Sequence, residues 1–172
     1  LSGISIVGVA TGQVEFGGNI AHRDANGNLV YSAAGLTGSA RFSQLNLRLE
    51  DTPINAVEPV AIRFDTREVV IESARFAGGG SNLTVAGTKA LAESGVNNLS
   101  IDGRINLSLL NVFPQIASGD TFFGGFADVS IRLAGPNSAA RLSGTATLDN
   151  ASFATFVGSD RLMFERLQGI IR

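Results

Sequence analysis

The chain has 172 residues, enough for one sizeable apolar core, and 16% of them are charged, against about 25% in average proteins. It has 13 basic and 15 acidic residues, and the basic ones are scattered singly, so no positive cluster supports nucleic-acid binding. The absence of cysteine excludes disulfides and thiolate metal sites. Mean hydropathy is +0.22, yet no apolar run approaches the roughly 18 residues of a membrane-spanning helix.

From the N-terminus onward, a recurring unit places an aliphatic residue two positions before a glycine. Such repetition predicts one β-hairpin module used several times, and hence an elongated sheet with a single apolar face along its length. A continuous apolar face is a candidate surface for lipid. Examples of the unit are Leu1/Gly3, Leu36/Gly38, Val85/Gly87, Ile101/Gly103, Leu133/Gly135, Leu142/Gly144 and Leu167/Gly169.

The first polar interruption, residues 24–28, predicts a hairpin turn between two strands. Its alternating oxygen-bearing side chains resemble a calcium loop. The sixth position is Leu29 and the twelfth is Gly35, however, where such a loop needs glycine and a bidentate glutamate. A plain turn is therefore expected.

Alternation of apolar and polar residues follows, clearest over residues 45–50 and 60–65, and it predicts about a dozen half-buried strands. Turn residues at 78–81 and 135–138 join further pairs, so neighbouring strands should be mostly antiparallel. The predicted wall of the apolar face consists of Leu45, Leu47, Ile62, Phe64, Leu83, Val85, Leu99, Ile101, Ile105, Val129, Ile131, Leu133, Leu142 and Leu148.

One segment departs from this alternation. Leu107, Leu109, Leu110 and Phe113 cluster at helical spacing, and Pro114 would end a helix at about Phe113. The sequence predicts one short helix here. It is either a plug that caps the apolar interior or a gate in a lipid path.

The sequence gives no indication of a catalytic site. His22 is the only histidine, and carboxylates such as Asp65, Glu72 and Asp102 stand at polar strand positions where they need no special role. No nucleophile with its base, metal cluster or phosphate loop is evident. We expect a protein that is not an enzyme and has no metal or cofactor.

The order of several strand motifs resembles the C-terminal part of the TamB family, which is similar to AsmA-like bridge-type lipid transfer proteins. The resemblance covers roughly residues 36–172 and includes the position of the short helix. It is carried by the segments 59–64, 69–76, 81–88, 101–110, 125–135, 141–153 and 162–171.

This resemblance implies an all-β fold, a long, curled, mostly antiparallel sheet that forms a trough, or β-taco-like groove, with one short helix. It also implies a periplasmic location, in a protein anchored in the inner membrane, and a role in phospholipid transport, protein secretion and outer-membrane biogenesis. The implied partners are phospholipid, an outer-membrane barrel protein of the TamA or BamA kind, and unfolded outer-membrane β-strands. No catalytic residue is implied.

Residues 1–172 are interpreted as a single β-rich segment of a longer repetitive protein. Two alternatives to a lipid groove remain open. The sheet could close on itself as a dry sandwich, which would produce the same alternation. Alternatively, an end strand could pair with a strand of an outer-membrane barrel protein or autotransporter, which is β-strand augmentation.

Overall fold

The computed structural model describes residues 6–32, 35–113 and 121–172. Their architecture is all-β, as predicted, with one ten-stranded antiparallel sheet and a separate two-stranded hairpin. The twelve strands of the described residues are β1 (Ile6–Gly17), β2 (Ala21–Arg23), β3 (Leu29–Tyr31), β4 (Thr37–Leu49), β5 (Thr52–Ala56), β6 (Val60–Asp65), β7 (Glu68–Gly78), β8 (Ser81–Ala90), β9 (Val96–Asn106), β10 (Phe122–Pro136), β11 (Arg141–Val157) and β12 (Asp160–Ile171).

The large sheet follows the chain order, except that the β2–β3 hairpin lies between β1 and β4 in the chain and that β5 and β6 do not pair with each other. The path runs β1-β4-β5-β7-β8-β9-β10-β11-β12, and β6 lies beside β5, pairing with β4 and β7. The predicted turns at 24–28, 78–81 and 135–138 are confirmed as the β2–β3, β7–β8 and β10–β11 connections. The Leu1/Gly3 unit and Pro114 lie outside the described residues.

Register determines which side chains share a face, since residues directly opposite each other in an antiparallel pair point to the same side. One continuous row crosses eight strands and contains only apolar residues and glycine. From β1 to β11 its members are Val14, Ala40, Ile62, Ile71, Gly87, Leu99, Leu133 and Leu142.

The opposite face is polar. One of its rows contains Arg75, Thr84, Asp102, Ser130 and Thr145 on β7 to β11. The sheet is therefore amphipathic across its width, as expected for an antiparallel sheet with one wet face.

β-bulges keep the apolar face continuous where the sequence alternation changes phase. On β7, Ile71 pairs with Gly87, but the next pair is Ala74 with Val85, so one extra residue is inserted. On β4, Phe42 pairs with Gly12 and Gln44 with Thr11, which leaves Ser43 as the extra residue. Each bulge returns the following aliphatic residues to the apolar face.

Gly103 shows why glycine recurs on this face. It lies between Leu83 and Val129 in register, with φ +135°. A Cβ at this position would be 2.1 Å from the carbonyl oxygen of Asn82. A side chain is therefore excluded both by the backbone conformation and by the neighbouring strand.

Burial is shallow. Of the eight buried apolar residues among those described, six are alanines, and Val60 and Leu109 are the other two. The accessible surface is 11279 Å², whereas a compact monomer of this mass exposes about 8000 Å². A dry sandwich would instead bury larger aliphatic side chains between its two sheets.

Helical structure follows β9, where the sequence predicted it. It is a 3-10 helix, Leu107–Val112, and not an α-helix. The side chain of Asn106 caps it by accepting a hydrogen bond from the Ser108 N–H, and Phe113 follows its last turn. A second 3-10 turn, Asn137–Ala139, connects β10 and β11.

Candidate functional site

The apolar face contains all fourteen residues of the predicted wall. Register places them on one side of the sheet, with Leu45 and Leu47 brought there by the bulge in β4. Thirteen of them are half-buried, and Leu142, near the start of β11, is 72% exposed. An apolar surface of this extent, with none of its fourteen side chains fully buried, is typical of a binding surface.

A concavity of about 420 Å³ lies on this face between β9 and β12, beneath the 3-10 helix. Apart from Ser152, its lining residues are all apolar. They are Ile105, Leu107, Leu110, Phe123, Ala127, Val129, Ile131, Ala146, Leu148, Ala151, Ser152, Phe153, Leu167 and Ile171.

Irregular backbone on three adjacent strands coincides with this concavity. Gly125, Asn150 and Arg166 have φ values of +78°, +50° and +53°. Each lies at a register shift in the β10–β11 or β11–β12 pair. A Cβ on Gly125 would be 2.2 Å from the carbonyl oxygen of Asn150, so glycine allows the two strands to approach. Bulges increase the local twist and bend of a strand, and these irregular positions lie on three neighbouring strands beside the concavity.

The 3-10 helix is held to β10 by one side chain. Asn111 Oδ1 accepts a hydrogen bond from the Phe123 N–H at 2.7 Å, and its Nδ2 donates to the Phe123 carbonyl at 2.9 Å. The side-chain amide of Asn111 thus makes the two hydrogen bonds to Phe123 that the backbone of a neighbouring strand would make, at a point beyond the end of β9. Of the predicted plug residues, Leu107 and Leu110 line the concavity, Leu109 is buried and Phe113 is half-buried.

A cluster of polar groups borders the apolar face near the β8–β9 and β10–β11 turns. Lys89 continues the apolar row of β8, opposite Val69. Its ammonium donates to the carbonyl of Ala90 at 2.8 Å, to Asn97 Oδ1 at 3.0 Å and to Asn137 Oδ1 at 2.7 Å. Because these three acceptors use its three protons, the group ties the β8–β9 turn to the β10–β11 turn. Nothing in the sequence pattern indicated this cluster.

The polar face carries a separate, shallow depression of about 500 Å³ around Arg104. The guanidinium pairs with Asp149 and with Asp128, the latter at 3.3 Å, and lies 4.7 Å from the centre of the Phe126 ring. The hydrogen bond to Asp149 raises the pKa of Arg104. Since its charge is already matched by two carboxylates, this depression is better explained as a surface ion-pair network than as an anion site.

The two edge strands of the large sheet, β1 and β12, each have one side without a paired strand in the described part of the chain. Within the described residues, β1 pairs only with β4 and β12 only with β11. Both carry exposed apolar side chains, including Val9 at 67% and Phe16 at 75% on β1, and Met163 at 51% on β12. Unpaired edges of this length offer backbone donors and acceptors to another strand.

No group of three or more histidines, cysteines or carboxylates in the described ranges is arranged to hold a metal ion. No helix there is long and apolar enough to cross a bilayer. Comparison of the chain with protein-family models, with curated proteins and with solved structures finds no match.

Proposed function

We propose that this chain is a module of a periplasmic lipid transfer protein, which shields phospholipid acyl chains along one apolar face of a β-sheet. The observation that carries the proposal is the row of apolar residues and glycine across β1 to β11, of which only Ala40 is buried. Each acyl methylene removed from water contributes about 0.8 kcal/mol. Partial shielding of a lipid's tails would therefore offset much of the cost of leaving a bilayer.

The resemblance of the strand order to the TamB family supports the same function. It gives the proposal its setting, in which the parent protein is anchored in the inner membrane and works with an outer-membrane barrel partner. Transfer would require no bond to be made or broken, so the proposal includes no catalytic residue and no cofactor. A trough-like curvature of the sheet would increase the shielding of each tail.

Site-specific photo-crosslinking in living cells tests the proposal. A photoreactive residue is placed at Leu83, Ile101 or Ile131 on the apolar face, with Thr84, Asp102 and Arg132 on the polar face as matched controls. We expect phospholipid adducts, identified by mass spectrometry, at the first three positions only. Equal labelling on both faces, or no lipid adduct on the apolar face, would contradict the proposal.

A second candidate function follows from the edges of the sheet. β1 and β12 are each twelve residues long, long enough to pair with an unfolded strand of an outer-membrane protein by β-augmentation. Photoreactive residues at Val9 on β1 and Leu162 on β12 would then give protein adducts, while positions at the centre of the sheet would give none.

A further inference from the structure

We propose that the concavity beneath the 3-10 helix is a holding site for one acyl chain of a lipid, distinct from the rest of the apolar face. This proposal rests on the proposed lipid transfer function. It concerns where along the sheet a lipid dwells and how much of it is enclosed.

Volume sets the capacity of the site. A dry cavity of about 150 Å³ lined by Leu, Ile and Phe holds benzene, which has six carbons. At that packing, the concavity of about 420 Å³ accommodates about 17 carbons. This is one long acyl chain. The second tail of a phospholipid would have to lie outside the concavity, elsewhere on the apolar face.

The lining selects for an alkyl chain and against a head group. Ala127 and Ala151 are buried and form the floor, and their small side chains create the depth. Leu107 and Leu110 cover the site from the 3-10 helix. No charged side chain lines it in the described part of the chain, so an ionised head group placed there would be desolvated without a partner.

The other half of the face is built differently. Phe42, Ile62 and Ile71 lie on β4, β6 and β7, and none of them lines the concavity. The acyl chain should therefore reside longest near β9 to β12, where residues of the sheet and of the 3-10 helix line the same concavity.

The chain has no tryptophan, which permits a single-reporter experiment. The Phe153→Trp variant places the reporter in the concavity, and the Phe42→Trp variant places it on the same face outside the concavity. Each purified variant is titrated with stearate brominated at mid-chain, whose bromines quench tryptophan at contact. We expect saturable quenching with one stearate per chain for Phe153→Trp, and half-saturation at about tenfold higher concentration for Phe42→Trp.

The outcomes separate this proposal from the proposed function. Equal quenching of both reporters at the same concentrations, or quenching of Phe42→Trp alone, would overturn the holding site while leaving lipid binding by the face intact. Saturation at two or more stearates per chain in the concavity would overturn the single-chain capacity. Quenching of neither reporter, with circular dichroism showing that both variants are folded, would overturn both proposals.

A filling variant gives a second measurement. Ala146 is half-exposed at the rim of the concavity, so Ala146→Phe in the Phe153→Trp background occupies volume with little strain on the core. Each methylene that loses its contact lowers affinity about fourfold, so stearate should bind about tenfold or more weakly, while the shorter decanoate changes little. Ala86→Phe, on the opposite face beside Ser100, is the matched control. An unchanged affinity for stearate would contradict the assignment.

Discussion

Ile101 on β9 and Ile131 on β10 lie directly opposite each other on the apolar face, and both are only half-buried. Side chains opposed in this way have Cβ atoms about 5 Å apart, so the pair forms one continuous apolar patch. Val85 and Gly144 extend it onto the strands on either side. None of the aliphatic side chains in the patch is fully buried.

Charge placed in this patch should remove lipid binding without unfolding the protein. For Ile101→Asp, and likewise for Leu83→Asp and Leu133→Asp, we expect loss of phospholipid transfer between vesicles. The free energy of unfolding should fall by less than about 2 kcal/mol, because a half-exposed carboxylate retains part of its hydration. Ser100→Asp, next to Ile101 but on the polar face, is the control. Cooperative urea unfolding provides the stability measurement, and complete unfolding of the apolar-face variants would indicate a closed core.

Gly103→Ala should destabilise the sheet by about 1–3 kcal/mol or more, the cost of a strained backbone conformation. The reasons are the φ of +135° and the 2.1 Å approach of a Cβ to the Asn82 carbonyl. Gly169→Ala is a matched control from another aliphatic-x-Gly unit, since nothing lies within 4 Å of its Cβ position. The urea midpoints of the two variants are compared, and we expect the larger decrease for Gly103→Ala. Equal shifts would show that the repeat glycine is not required by strand approach.

Much of the fold could be predicted from the sequence, because a strand with one dry face must alternate. The turns and the shared face of Ile62, Val85 and Leu133 follow from that rule alone. The bulges also leave a trace in the sequence: aliphatic residues change from position 71 to 74 and from 148 to 151, a shift from one parity to the other. A change of parity within an alternating segment therefore indicates the position of a bulge in the sequence.

The candidate site was harder to predict, since it depends on which distant residues become neighbours. Gly125, Asn150 and Arg166 are far apart in the chain and lie side by side only through register. The short helix was predicted from apolar spacing, whereas its 3-10 form and its attachment to Phe123 through Asn111 were not. Nothing in the local sequence specifies that attachment.

Asn97 should be the most sensitive polar residue in the sheet. Its side chain is fully buried, accepts from the Ala90 N–H at 3.1 Å and donates to the Gly135 carbonyl at 3.2 Å. Asn97→Ala leaves both backbone groups without their partner, which costs about 2–4 kcal/mol, or about 5–15 °C in Tm. The exposed neighbour Asn98 supplies the control substitution, Asn98→Ala. A Tm within a few degrees of the unsubstituted protein would show that water replaces the amide.

Acid should weaken the β6–β7 turn through Asp65. Its Oδ1 accepts hydrogen bonds from the N–H groups of Arg67 at 2.7 Å and Glu68 at 2.8 Å. These bonds lower the pKa of Asp65 below its ordinary value of 3.8. Because the folded pKa is the lower one, this stabilisation is fully present above the unfolded pKa and is lost as the pH falls through the folded pKa.

The Asp65→Asn variant isolates this contribution. We expect a lower Tm than the unsubstituted protein near neutral pH and a smaller further loss of Tm between about pH 5 and about pH 2. Thermal unfolding over that range measures both slopes. Glu15→Gln on edge strand β1 serves as a charge-matched control, and parallel Tm curves for Asp65→Asn and the unsubstituted protein would contradict the role of the turn carboxylate.

Asn111→Ala should release the cover of the concavity while leaving the sheet intact. The substitution removes both hydrogen bonds to the Phe123 backbone, so the amide of Phe123 should exchange with solvent about tenfold or more faster, as expected for the loss of about 1–3 kcal/mol of local stability. Stearate binding in the Phe153→Trp background should weaken as Leu107 and Leu110 leave the bound chain. Ser108→Ala in the same 3-10 helix is the control, because Ser108 is exposed and its N–H keeps its bond to Asn106. Faster exchange with unchanged stearate binding would show that the helix is a structural plug and has no part in enclosing lipid.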